Sequence, residues 1–151
     1  MRYASETAVP VMRSQAEIET LLERYGAAEF ARGWTKGGAL VGFVVQQRQV
    51  RFMLPLPQRE NYKPGPTGEN KWQQAMRQRW RALALIVKAK LEAVETGITT
   101  FEQEFLAHIV VPSTGRTVGE WLGPQLKEAY LKGKPPALLP GATTTEVEMR
   151  K

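Results

Sequence analysis

Apolar positions along the chain change period several times, and each change marks an element. Ile18, Leu21, Leu22 and Tyr25 recur at helical spacing. Ser14 and Glu17 stand where a capping box would open that helix, and Gly26 where it would stop, so the pattern predicts a helix over 14–25. Residues 1–13, punctuated by Pro10, read as extended. From 29 to 34 the pattern alternates loosely up to Lys36-Gly37-Gly38, a hairpin signal. Two apolar, β-branched runs follow, 39–46 and 49–54. In the second, Val50, Phe52 and Leu54 face one way and Arg51 and Met53 the other. The turn between them has no Gly, Asn or Asp. Pro55 and Pro57 end the sheet, and 58–70, with Pro64-Gly65-Pro66 and Gly68, reads as an exposed loop.

A long amphipathic helix is predicted over 71–96, with Gly97 as its stop. Trp72, Met76, Trp80, Leu83, Val87, Leu91 and Val94 step by four or three and line one stripe. Thr99 with Glu102, or Thr100 with Gln103, caps a helix over 101–110. Thr117 and Glu120 form another capping box for 118–122, and Pro124 suits the first turn of a final helix ending near 131. Residues 132–141 are proline-rich and read as extended, and 142–151 as a disordered tail. The expected fold is α+β in one domain over 1–141: an N-terminal helix, a three-stranded antiparallel meander, a long basic helix and a helical C-terminal third.

Charge changes this picture at one place. Between Glu69 and Glu92 stand Lys71, Arg77, Arg79, Arg81, Lys88 and Lys90 with no acidic residue among them. The net charge is +6, and without those six the chain carries 15 basic and 15 acidic residues. On a helix Arg77, Arg81 and Lys88 fall within about 40° of one another, a ridge away from the apolar stripe. Such a ridge suits nucleic-acid phosphates, with Lys71 and Arg79 as secondary contacts and weak sequence specificity. A solvated outer face and a dock for an acidic protein surface are the rival readings. A merely solvated helix usually interleaves both signs. Arg79 and Lys90 project beside the apolar stripe, where they can pair with Glu102 or Glu104. Alternatively, Arg79 lies in a cleft with Trp72 or Trp80 as a stacking platform. Arg48 and Arg51 would extend the basic surface if the open sheet face lies beside the long helix. The apolar stripe can also pair between two copies, as a homodimer.

Composition then removes most chemistry. The chain has no cysteine and no aspartate, a single histidine (His108), and only Ser5, Ser14 and Ser113 as serines. A Ser–His–Asp triad cannot be built, and no P-loop or Gly-rich dinucleotide motif occurs. Glu104 and His108 are four residues apart, one pair without a second ligand cluster. Glu102 and Glu104 point to different sides of a helix, which does not suit paired-carboxylate hydrolysis. The expectation is a protein without enzyme activity, cofactor or metal. The polar start and the absence of a long apolar run predict a soluble cytoplasmic protein.

The segment RQRWRALALIVKAKLEAVETGITTFEQEFLAHIVVP, with GRTVGEWLGPQLKEAY and PPALLPG after it and ERYGAAEFARGW and RFMLPLP before it, resembles a family of small phage- and prophage-encoded proteins. The likeness covers most of residues 3–141. No activity is assigned to that family, so no functional residue is carried over. The resemblance implies a mobile-element protein made in a bacterial host, serving phage DNA metabolism or countering host defence. The first five elements also follow the order of a double-stranded-RNA-binding domain. The lysine cluster that opens the second helix of that module is matched only by Lys71, with the arginines one to two turns later.

Overall fold

The computed structural model describes residues 2–133, with side chains from residue 10 onward. Helix α1 spans Arg2–Tyr25, and strands β1 (Glu29–Thr35), β2 (Gly38–Val45) and β3 (Arg48–Pro55) follow it. The long helix α2 is Pro66–Glu95, and the short α3 (Phe101–Phe105) and α4 (Val118–Lys132) complete the order. The architecture is α+β, as the hydrophobic pattern predicts. The extended tract over 134–141 and the tail over 142–151 lie outside the described residues.

The strands form an antiparallel meander in the order β1-β2-β3, with Val41 paired to both Arg32 and Phe52. Residues opposite one another share a face, so alternation sorts the sheet cleanly. One face carries Ala39, Val41, Phe43, Val45, Val50, Phe52 and Leu54, all buried. Against it pack Ile18 and Leu22 from α1 and Trp80, Leu83, Ala84, Val87 and Leu91 from α2. Phe101 and Phe105 close the end of this core, Phe105 meeting Phe43 and Phe52 edge-on at 5.8 and 6.2 Å between ring centroids. The other face carries Ala31, Gly33, Leu40, Gly42, Val44, Arg51 and Met53.

Helices α1 and α2 run parallel. Residues 10–17 flank 74–81 at one end, and Tyr25 stacks on Phe101, just beyond the C-terminus of α2, at the other. Past α3 the chain turns outward along β3. Val110 N–H donates to the Gln49 carbonyl at 2.8 Å, and Val118 N–H to the Ile109 carbonyl at 2.8 Å. The outer rim of β3 is thus covered by a short crossing of residues 109–110.

Several boundaries differ from the sequence reading. The first helix starts at Arg2, so Ser14 is interior and opens nothing. Pro10 lies inside it, losing one backbone bond without ending the helix. The long helix begins five residues early, because Pro66 sits in its first turn, where a missing N–H costs nothing. Gly68 is buried there, and a Cβ on it would come within 1.7 Å of the Lys63 carbonyl oxygen. The helix expected over 101–110 stops at Phe105 and gives way to a 3-10 turn over Leu106–His108. The two pieces expected at 118–122 and 124–131 are one helix with Pro124 inside it. Both capping boxes form, Thr100 with Gln103 and Thr117 with Glu120.

Candidate nucleic-acid interface

The basic residues of α2 divide among its sides, and this decides which remain available. Its core side (Trp80, Leu83, Val87, Leu91) faces the sheet. Arg79 and Lys90 flank that stripe on the side toward α3 and the end of β3. Lys90 Nζ donates to the Glu104 carbonyl at 3.1 Å and to Glu104 Oε1 at 3.4 Å, and lies 5.7 Å from the Phe105 ring centroid. It is a structural cation, as its position beside the stripe predicts. Arg79 donates to the Pro55 carbonyl at 3.4 Å rather than to a glutamate. Trp80 is buried, and Trp72 Nε1 donates to the Pro57 carbonyl at 2.7 Å. Both rings are committed to the fold, which removes the stacking platform.

The other flank of α2 meets α1. There Arg77 and Arg81 line a shallow groove of about 370 Å³ with Arg13, Ser14 and Glu17 of α1 and with Gln74 and Gln78. None of the three guanidinium groups has an ion pair or hydrogen bond with a described residue. Glu17 is the acidic member of the lining, and no cation lies within ion-pair distance of it. The groove therefore gathers three cations and one anion, with two amides able to donate hydrogen bonds. Lys88 continues the ridge two turns beyond Arg81 and is exposed. Lys71 is exposed near the start of α2 and is not among the residues lining the groove.

Arg48 and Arg51 do not join this surface. Arg48 Nε donates to Glu102 Oε2 at 3.1 Å. Arg51 lies on the sheet face opposite the helices, where its Nη2 donates to the Gly115 carbonyl at 2.9 Å and to Glu120 Oε1 at 3.0 Å. The condition under which these two arginines would extend the basic surface is not met, because α2 covers the other face of the sheet. Arg51 instead holds the start of α4. Hydrogen bonds from Arg51 and from Thr117, with the Arg51 charge beside them, hold the Glu120 carboxyl below its usual range.

Sequence reasoning missed Arg13. It sits in a helix rich in glutamate, which reads as a mixed-sign solvated surface, and only the docking of α1 on α2 brings it into the groove with Arg77. The Glu104–His108 pair does not converge: Glu104 binds Lys90, and His108 stacks on Phe52 at 4.1 Å between centroids. Among the described residues no group of three His, Cys, Asp or Glu side chains gathers around a common point, and no helix is long and apolar enough to cross a membrane. No family model, curated protein or solved structure matches this chain.

Proposed function

We propose that the protein binds nucleic acid through the phosphate backbone, with the groove between α1 and α2 as the contact surface. Arg77, Arg81 and Arg13 are the central contacts and Lys88 extends them; Lys71 is peripheral, and Arg48, Arg51 and Arg79 belong to the fold. The observation that carries this reading is the sorting of charge. Arg48, Arg51, Arg79 and Lys90 are spent on the molecule's own carbonyls and carboxylates, while Arg13, Arg77 and Arg81 along the α1–α2 groove are not. From Arg77 to Lys88 the ridge runs about 16 Å, over which a duplex presents roughly ten phosphates. Cations on a rigid helix contact phosphates without reading bases, so sequence preference is weak. The phage resemblance supports a setting in mobile-element DNA or RNA metabolism.

Fluorescence anisotropy with short DNA and RNA duplexes and single strands, at two salt concentrations, tests this. Four phosphate contacts give a slope of log K against log salt of about −3 to −4, so a fourfold rise in salt weakens binding about a hundredfold. Replacing Arg77 or Arg81 by alanine makes the slope shallower by about one unit and weakens binding alike on all sequences. Absence of binding, or binding indifferent to salt, on every polymer tried overturns the reading. An acidic protein docked on the same groove is the second reading. A partner retained from host lysate after nuclease treatment, and lost on substitution of Arg77 and Arg81, would favour it.

A further inference from the structure

Helix α4 is anchored to its own chain only at its first turn, by the Thr117–Glu120 cap, Arg51 and Val118. It contains Gly119, Gly123 and Pro124, and none of its residues is fully buried. Fifteen residues of such composition are marginal as an isolated helix, so its stability must come from packing of its apolar side. That side is only partly covered: Trp121, Leu122, Leu126 and Tyr130 are 44%, 42%, 62% and 54% exposed. Only Val118, at its start, packs against the core.

A second apolar surface on the same molecule is also uncovered. The sheet face opposite α1 and α2 carries Leu40, Val44 and Met53 around a bare centre of Ala31, Gly33 and Gly42. Met53 is 55% exposed. A Cβ on Gly33 would meet nothing within 4 Å, and one on Gly42 only the Val50 carbonyl oxygen at 3.5 Å. Internal crowding therefore does not require glycine at either position. Glycines inside strands weaken the sheet and often mark a place where another backbone comes close. Beside them a trough of about 580 Å³ runs between Leu40 and Met53 and the first turn of α4.

We propose that α4 of one copy lies across this open face in a second copy, and the reverse, closing a two-fold dimer. The chain's own α4 does not cover its own sheet: the Arg51–Glu120 bond fixes only its first turn beside the trough, and Leu126 and Tyr130, on the same side of the helix as Gly119, stay 62% and 54% exposed. Exchange between two copies satisfies both surfaces with one self-complementary contact. The dimensions agree: fifteen helical residues span about 22 Å, and strands of seven or eight residues about 25 Å. The two surfaces together expose on the order of 700 Å² of apolar area per chain, close to the share each partner of a stable pair contributes. The basic groove lies on the far side of the sheet, so pairing leaves it open and is independent of the polyanion reading.

Sedimentation equilibrium of the full chain tests the pairing. A dimer at micromolar concentration is expected, with Leu126→Glu and Met53→Glu each weakening it at least about a hundredfold while circular dichroism and melting of the monomer are kept. Because the chain has no cysteine, a mixture of the Leu126→Cys and Met53→Cys variants treated with a short bis-maleimide reports the contact directly. The expected product is a cross-link between the two different variants. Three results would overturn the proposal: a monomer up to about 100 μM, a dimer that survives both glutamate substitutions, or a chain bearing both cysteines that closes on itself as a monomer. A dimer lost on truncation after residue 133 would also overturn it, by assigning the open surfaces to residues 134–151.

Discussion

His108 shows how much a single side chain can depend on its surroundings. It is half-buried and stacked on Phe52, and burial, with the Lys90 charge nearby, lowers its pKa below the ordinary histidine value. The unfolded chain therefore takes up a proton near pH 6.5 that the folded chain still refuses. Stability is unaffected above that pH and falls as pH drops from about 6.5 toward the folded-state value. Urea midpoints at pH 7.5 and 5.5 should differ more for the native chain than for His108→Gln, and equal differences would show that this residue does not carry the dependence. At this scale the sequence was readable where chemistry is local. Thr100 with Gln103 and Thr117 with Glu120 were visible as caps because each bond spans three residues. The role of His108 was not, since Phe52 lies far along the chain. The turn after β2 was placed by the strands around it, but its conformation at Gln46 and Gln47 was hidden. Both residues have positive φ (50° and 63°) in a two-residue hairpin, a conformation usually given to Gly or Asn. The alternation of the flanking strands imposes it.

Among the elements, the strands and the apolar stripe of α2 were legible because burial follows a strict period. The ends were not, because proline and glycine carry two meanings. Pro66 reads as loop and serves as first turn, Pro10 and Pro124 read as boundaries and lie inside helices, and Gly68 reads as a breaker. In the folded chain Gly68 is the point where α2 passes against the Lys63 carbonyl. Gly68→Ala should cost about 1–3 kcal/mol, because backbone rather than a flexible side chain must move. A denaturant midpoint unchanged by this substitution would mean that the loop before α2 yields freely. Glycines 33 and 42, by contrast, should accept alanine in the monomer at little cost.

For the molecule as a whole, the net charge and its concentration in α2 were readable, and Arg79 and Lys90 already stood apart from the ridge; the second helix that completes the groove was not readable. Lys90 and Arg79 went to the fold, and Arg77 and Arg81 went to a groove that a second helix completes with Arg13. This division makes a prediction for the two sheet arginines. Arg51→Ala should lower stability by about 1–2 kcal/mol, since a carbonyl and a carboxylate lose their donor, and Arg48→Ala should cost less, its partner being in water. Neither should alter the salt dependence of polyanion binding, and a shallower slope in either variant would return it to the contact surface. The sheet itself is asymmetric in a way that bears on how the protein behaves when concentrated. The crossing of residues 109–110 bridges the rim of β3 at Val50, and among the described residues no strand pairs with the outer edge of β1. The open edge at β1 carries the charged Glu29 and Arg32. Ionic gatekeepers of this kind oppose stacking of strand on strand and help keep the folded chain dispersed.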